Sequence, residues 1–278
     1  MPKKKKWNLS LVVGGGIVLF FVLVALLAPL LAPCDPHAMG IPYLRPSGEH
    51  LLGTNDLGYD LLTEMIYAAR PTMLVGLAAA VFSLCLGTLI GLAAGALPGW
   101  KGEIASGVIQ VFLMIPMLPA AIVVGAYCGG TLVSVIGIIA ALGWCATART
   151  VRARTVQLMQ SEFAEGFRVL GFSRARIVLR HVLPNLQEVV LSRYIMTVAR
   201  CVMLEATLSF LGLGDASRIT WGRMIHLAYK RGGFTNGAWN WLAAPGVCIF
   251  LLVLAMYAIN TYFESRGREV TGGRSYLD

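Results

Sequence analysis

Residues 9–31 form a run of 23 positions without a single charge, and several similar runs follow before the chain ends. At 1.5 Å per residue, 23 helical residues cover about 35 Å, enough to cross about 30 Å of hydrocarbon. Few folds accommodate repeated runs of this kind. The chain is 57% hydrophobic and 13% charged, whereas a soluble domain carries about 25% charged residues. An all-α membrane protein with several crossings satisfies both observations, because only helices or closed barrels satisfy backbone polar groups inside lipid. The net charge of +9 lies beside the apolar runs rather than on a polar domain, so it points to membrane orientation and not to nucleic acid.

Lys3, Lys4, Lys5 and Lys6 precede the first run. A secretory signal has a charged start too, but an apolar core of only about 7–15 residues. The first crossing is therefore expected to be retained, with residues 1–32 holding a cytoplasmic start and one helix. Residues 33–72 form a polar segment on the outer side, and 73–98 a second crossing. In that crossing Gly87, Gly91, Gly95 and Gly99 recur at every fourth position, one face on which another helix can approach closely. A third crossing spans 104–128, kinked by Pro116 and Pro119. A short fourth spans 131–147, a fifth 189–213 and a sixth 243–263. The permease-like core is then 73–265, followed by a basic tail at 266–278 containing Arg266, Arg268 and Arg274. This topology places 15 Lys and Arg on the cytoplasmic side, where both termini lie, and 6 outside, in the sense the positive-inside rule requires.

Most of the cytoplasmic charge sits in residues 149–187. Arg149, Arg152, Arg154, Arg168, Arg174, Arg176 and Arg180 are offset only by Glu162 and Glu165. Ser161 suits the cap of a short helix, and Phe163, Phe167 and Leu170 follow at i, i+4 and i+7 as an apolar stripe. Gly171 suits the left-handed position that ends such a helix. Ser173 can start a second, and Pro184 is expected to stop helical continuation. A short helix with nothing of its own to pack on usually docks elsewhere. Periodicity alone leaves a second reading open, a solvated basic loop that sets orientation and touches anionic lipid.

The fifth crossing contains Arg200 and Glu205. Five residues apart, they lie about 140° around the helix. They do not face each other, so each needs a partner on another helix, another subunit or in a water-filled cavity. The outer loop at 214–242 is aromatic, with Trp221, Tyr229, Phe234, Trp239 and Trp241. None of the six cysteines forms a CxxC pair. Cys34 and Cys128 could both face outward and pair. His50, Asp56 and Asp60 fit no standard ligand spacing. No cofactor or metal is expected in the chain.

Four segments carry a resemblance. Glu165-Gly166-Phe167-Arg168, then Leu170-Gly171, Ile177, and Arg180-His181-Val182-Leu183-Pro184-Asn185 resemble the "EAA" loop of ABC importer permeases. The fit is to the dipeptide, oligopeptide and nickel branch, whose pattern reads EAARxLGxxxxxIxxRHxLPN. Glu49-His50-Leu51-Leu52-Gly53-Thr54-Asn55-Asp56-Leu57-Gly58-Tyr59-Asp60 is similar to that branch's EHxLGTDxLGRD, with Tyr59 in place of Arg. Residues 204–214 resemble EAxLSFLGLG, and Trp221-Gly222 with Met224 resembles WGxM. Gly166 and Phe167 stand where the family has paired alanines.

The resemblance implies a type I ABC importer permease fold with six transmembrane helices and a cytoplasmic coupling helix. It implies docking on an ATP-hydrolysing subunit through Glu162, Phe163, Glu165, Gly166, Phe167, Gly171, Arg174 and Pro184. The implied partners are a second permease chain, two ATP-binding subunits that hold ATP and Mg, an extracytoplasmic solute-binding protein and membrane lipid. The implied cargo is a peptide, nickel, a metal–chelate complex or glutathione. The chain lacks G-x-x-x-x-G-K-[ST], the phosphate loop of many ATPases, so it is read as no enzyme itself. A channel or ion-coupled transporter using Arg200 and Glu205 is the competing reading, but it gives the Arg-rich loop no task.

Overall fold

The computed structural model describes residues 9–272, with side chains through 263. Lys3–Lys6, Arg274 and the side chains of Arg266 and Arg268 lie outside the described residues. The described residues form helices joined by turns and loops, the longest non-helical stretch being 32–60, with an isolated antiparallel bridge between Thr54 and Asp60.

Its axis is α3, Leu61–Ala96, 36 residues long. This helix would extend about 54 Å, further than a hydrocarbon core, so its ends stand outside it. It begins twelve residues before the expected second crossing, inside the segment expected to be a loop. Asp60 makes this start: its side chain accepts from the Thr63 N–H at 2.8 Å, the ordinary N-cap arrangement. Pro71 lies within the helix without ending it, since neighbouring helices can re-satisfy the backbone a proline frees in a membrane helix. Just before it, Arg70 reaches back to α1, Leu9–Leu26, and donates to Ala25 O and Leu26 O at 2.6 and 3.0 Å. It thereby closes carbonyls that helix α1 leaves open at its C-terminus.

The glycine face of α3 sets its closest contact. Residues 132–159 form one nearly continuous crossing, built of α6, Leu132–Gly143, and α7, Cys145–Met159. A Cβ placed on Gly87, Gly91 or Gly95 would meet Trp144 O at 2.6 Å, Ala148 O at 2.6 Å or Arg152 O at 2.9 Å. Every fourth residue of α3 thus rests against every fourth carbonyl of α7, a register that any side chain would break. Gly99 does not join this face. It has φ 59° and lies in the turn beyond α3, because Leu97 is already extended.

The fourth crossing is therefore longer than expected, and the Arg-rich loop shorter. Arg149, Arg152 and Arg154 are on α7, not in a loop. Arginine is a good helix former, and the polar groups here are provided for within the fold. Arg152 Nε donates to Ser106 Oγ at 2.5 Å, and Arg154 donates to Gln157 at 2.6 Å.

Between α3 and α6, the expected third crossing is a broken one. Helices α4, Trp100–Met114, and α5, Met117–Cys128, meet at 85°. Ile115 is extended at φ −72°, ψ 120°, as the residue before a proline prefers. Pro116 then precedes α5, and Pro119 falls in its first turn, where its missing N–H costs nothing. Cys34 and Cys128 are both free, so the pairing that the sequence left open is not made.

The remaining elements are α2, Ala28–Leu31, the short helices of the Arg-rich loop described below, α11, Gln187–Phe210, α12, Trp221–Lys230, and α13, Trp239–Gly272. By length and apolar composition, four helices among the described residues qualify as crossings, or five if the bent pair counts as one. Helix α11 is long enough at 24 residues but carries Glu188, Arg193, Arg200 and Glu205, so a sixth crossing depends on burying its charges. The core joins α1, α3, α6, α11, α12 and α13 around Phe21, Met73, Ile139, Val202, Leu208, Trp221 and Leu252.

The α3–α7 contact gives a direct expectation. Replacing Gly91 with Val should cost about 1–3 kcal/mol through overpacking. Gly107→Val, at a position with open space around it, should stay within about 0.5 kcal/mol of the parent apart from helix propensity. Thermal unfolding of the detergent-purified protein checks this, and equal losses would contradict the register.

Candidate functional site

The Arg-rich loop begins at the end of α7 and turns at once into α8, Glu162–Val169. Ser161 adopts the extended cap conformation, φ −73° and ψ 152°. Its hydroxyl does not cap the helix, however. It turns back to donate to Leu158 O at 2.7 Å, because the preceding helix ends only two residues earlier and offers a free carbonyl. Glu162 and Glu165 occupy the first turn, where the helix dipole favours negative charge. Arg168, at the other end, donates to Met159 O and ties α8 to the end of α7.

The C-terminus follows the expected pattern in full. Gly171 has φ 80°. Its N–H bonds Arg168 O at 3.0 Å, and the Phe172 N–H bonds Phe167 O at 3.0 Å. These two bonds, with Phe172 and Phe167 rings 5.3 Å apart, make a Schellman motif with its hydrophobic contact. Ser173 then caps α9, Arg174–Ile177, accepting from the Arg176 N–H at 3.4 Å.

Pro184 does not stop the helical path, contrary to expectation. The chain widens into a π turn at Val178–Val182 and continues through α10, Leu183–Asn185. The wider turn lets proline enter near the start of a new helical segment, where it is tolerated. Asn185 Nδ2 donates to His181 O at 2.6 Å and satisfies a carbonyl at the junction. Pro184 itself is exposed.

The loop has its own small core, built on Leu92, Val151, Met159, Ala164, Ile177, Val182 and Leu186. Over it lies an aromatic group that sequence periodicity missed. His181 stacks on Phe167 at 4.0 Å and 19°, with Phe163 and Phe172 edge-on at 5.8 and 6.3 Å. Phe163 and Phe167 are themselves 4.8 Å apart. No period links residues 14 apart on different elements, so only the fold brings Phe167 and His181 together. Phe167, which stands where alanine was expected, thus packs inside the loop rather than outward. On α8 and its C-cap the apolar groups left facing solvent are Phe163, 51% exposed, Leu170, 72%, and Val169, 83%; Leu179, 66% exposed, lies further along the loop. Glu162, Glu165, Gly166, Gly171 and Arg174 are exposed around them.

Arg200 and Glu205 are not brought together. Arg200 is exposed on α11. Glu205 is 1% exposed, and Ser209 Oγ donates to its Oε1 at 2.7 Å. Helix α12 covers this end of α11: a Cβ on Gly222 would meet Ala206 O at 2.5 Å. The polar segment before α3 is fastened to the end of α12 as well. Arg231 pairs with Asp56 at 2.7 Å, and Tyr43 Oη donates to Arg231 O at 2.5 Å. Beside it a cavity of about 420 Å³ is lined by Arg223, His226, Lys230 and Arg231.

The aromatic packing has a measurable consequence. Phe167→Ala removes the ring stacked on His181, and such pairs contribute about 0.5–1.5 kcal/mol beyond area. Hydrogen exchange of α8 amides should speed up by about tenfold, one kcal/mol being close to a factor of 5–10. Unchanged protection would mean that the stack does not hold the helix.

Comparison with known proteins bears on the whole chain. The family model for the binding-protein-dependent transport system inner membrane component matches residues 87–269. A model for the N-terminal TM domain of oligopeptide transport permease C matches residues 8–52. The dipeptide transport system permease protein DppC of Alkalihalophilus pseudofirmus is 33% identical over 261 residues, covering 92% of this chain and 84% of that protein. Two crystal forms described as inward facing conformations of the MetNI methionine ABC transporter share the fold. Their TM-scores are 0.61 and 0.57 at 16% and 19% identity, covering 74% and 76% of this chain and 97% and 96% of the solved chains. The helical architecture, the order of the motifs and these matches agree, and the chain belongs to the inner-membrane permease components of binding-protein-dependent ABC importers, on the peptide side of that family.

Proposed function

We propose that this permease works by alternating access, driven by ATP hydrolysed in two partner subunits that dock on α8. A second permease chain completes the path, and an external binding protein delivers the cargo, a peptide or a small solute of similar size. Both termini and the Arg-rich loop face the cytoplasm in this reading.

The observation that carries the proposal is the construction of the inner loop. Phe163, Val169 and Leu170 are presented to solvent on a helix whose other side is fixed by Ala164, the Phe167–His181 stack and Arg168. A loop that only set orientation would have no need to hold exposed apolar groups on a rigid base. Exposed apolar groups rimmed by charge mark a protein contact, and a rigid mount is what transmitting a push requires. Glu162, Glu165 and Arg174 form the charged rim. Gly171 keeps the helix short and directs the chain away from it. Buried Glu205 accepts from Ser209 one turn further along α11 and lies under α12, while Arg200 is left for the second permease or a hydrated path.

The assembly should purify with an ATP-binding subunit bound to this loop, and the purified complex should show transport-coupled ATP hydrolysis in proteoliposomes. Gly171→Val forces a β-branched residue to φ 80°, a strain of about 1–2 kcal/mol. Uptake should fall by at least about tenfold while membrane insertion and permease pairing persist. Gly166→Ala, where a Cβ meets nothing within 4 Å, should favour α8 by about 0.5–1 kcal/mol and leave uptake intact. Normal uptake in the Gly171→Val assembly would count against the coupling role.

A further inference from the structure

The polar segment before α3 contains a donor cluster that the transport reading does not use. The Cys34 Sγ, a His50 ring nitrogen and an Asp60 carboxylate oxygen all lie within 4.8 Å of one another. The geometry points to a site for a single divalent transition-metal ion of the zinc class, held by Cys34, His50 and Asp60.

The donor set decides the class of ion. One thiolate, one imidazole and one carboxylate match the S, N and O ligands that Zn²⁺ and its borderline neighbours accept, and three protein ligands leave a fourth position for water. Calcium and magnesium would require oxygen donors instead. Bond lengths of about 2.0–2.3 Å in tetrahedral geometry put ligand atoms roughly 3.3–3.8 Å apart. The present spread is within about an ångström of that. His50 Nδ1 is 2.9 Å from Asp60 Oδ1, a proton-bridged distance that opens slightly when an ion replaces the proton.

The surroundings are built to hold these donors. Asp60 is 4% exposed, and among the described residues its ion-pair partner is His50, which carries charge only when protonated. Asp60 Oδ2 accepts from both the N–H and the hydroxyl of Thr63 at 2.8 Å. The Cys34 N–H donates to that same Thr63 hydroxyl at 3.3 Å. Thr63 is thus the outer-shell residue that fixes two of the three ligands. The backbone around His50 is fixed by reciprocal bonds with Ser47: His50 N–H donates to Ser47 Oγ at 3.1 Å and Ser47 N–H to His50 O at 2.8 Å. The His50 side chain remains 22% exposed, so an ion can enter past it.

On binding, the Cys34 thiol releases one proton, and the ion's two positive charges balance the thiolate and the carboxylate. No net charge is left buried, which removes the usual objection to an enclosed carboxylate. The ion would fasten the chain after α2 to the start of α3, across 26 residues of loop. Spacing rules do not show this site, because Cys34 lies 16 residues before His50 and outside any compact motif.

Cobalt substitution tests the assignment on the full chain, in the assembled transporter or in nanodiscs. Co²⁺ should bind at one equivalent per chain and give a thiolate-to-cobalt charge-transfer band that Zn²⁺ abolishes. Cys34→Ser should remove the band, whereas Cys128→Ser, at an exposed cysteine, should keep it. Thr63→Val should weaken binding by about 10–100-fold, the usual effect of losing an outer-shell partner, with the band retained at saturation. Absence of the band in the parent, or its persistence at full intensity in Cys34→Ser, would overturn the site.

Discussion

The contact between Gly87, Gly91 and Gly95 of α3 and the carbonyls of Trp144, Ala148 and Arg152 of α7 is the constraint on which the rest of the molecule depends. Lipid tails are as apolar as leucine, so no hydrophobic force pulls two membrane helices together. Close van der Waals contact must do it, and small residues make that contact possible. The contact fixes α7 along α3 beyond the last apolar turn. It thereby carries Arg149, Arg152 and Arg154 on a helix and delivers α8 to a fixed place at its end.

From that fixed end the Arg-rich loop acquires its rigidity. Arg168 returns to Met159 O, Ala164 and Ile177 are fully buried, and His181 stacks on Phe167. Each contact is modest, and the stack contributes only about 1 kcal/mol. Together they leave an eight-residue helix, too short to persist alone, with a defined orientation and three apolar side chains facing out. At the opposite end of α3, Asp60, Arg70 and the Arg231–Asp56 pair fasten the polar segment and α12 in a similar way. The long helix therefore joins two anchored ends, a sound frame for passing a displacement from one side to the other.

Much of this was legible in the residues. The apolar runs, the Gly171 terminator and the glycine face at Gly87, Gly91 and Gly95 each follow from local chemistry, and the fold agrees with them; the four motif segments were legible as a family resemblance. What was not legible depended on neighbours. Ser161 looked like a cap, yet a nearer carbonyl at Leu158 took its hydroxyl. Pro184 looked like a stop, yet a π turn made room for it. The arginines after residue 148 read as loop because charge suggests water, while the glycine register required helix. Phe167 and His181 are partners across elements, Cys34 and His50 come close across 16 positions of one polar segment, and no one-dimensional spacing rule relates either pair. Apolar length alone does not give the number of crossings, since α11 combines sufficient length with four charges.

The exposed trio on α8 offers the most direct test of how this permease is driven. A cysteine placed at Leu170 in the assembled complex, where the side chain is 72% exposed, can be joined by a short crosslinker to whatever lies against it. If α8 receives the motion of an ATP-hydrolysing subunit, the crosslink forms to that subunit, its yield changes when nucleotide is bound, and locking it stops uptake. A crosslink to no nucleotide-binding chain, or labelling of Leu170→Cys only by reagents confined to the outer compartment, would contradict it.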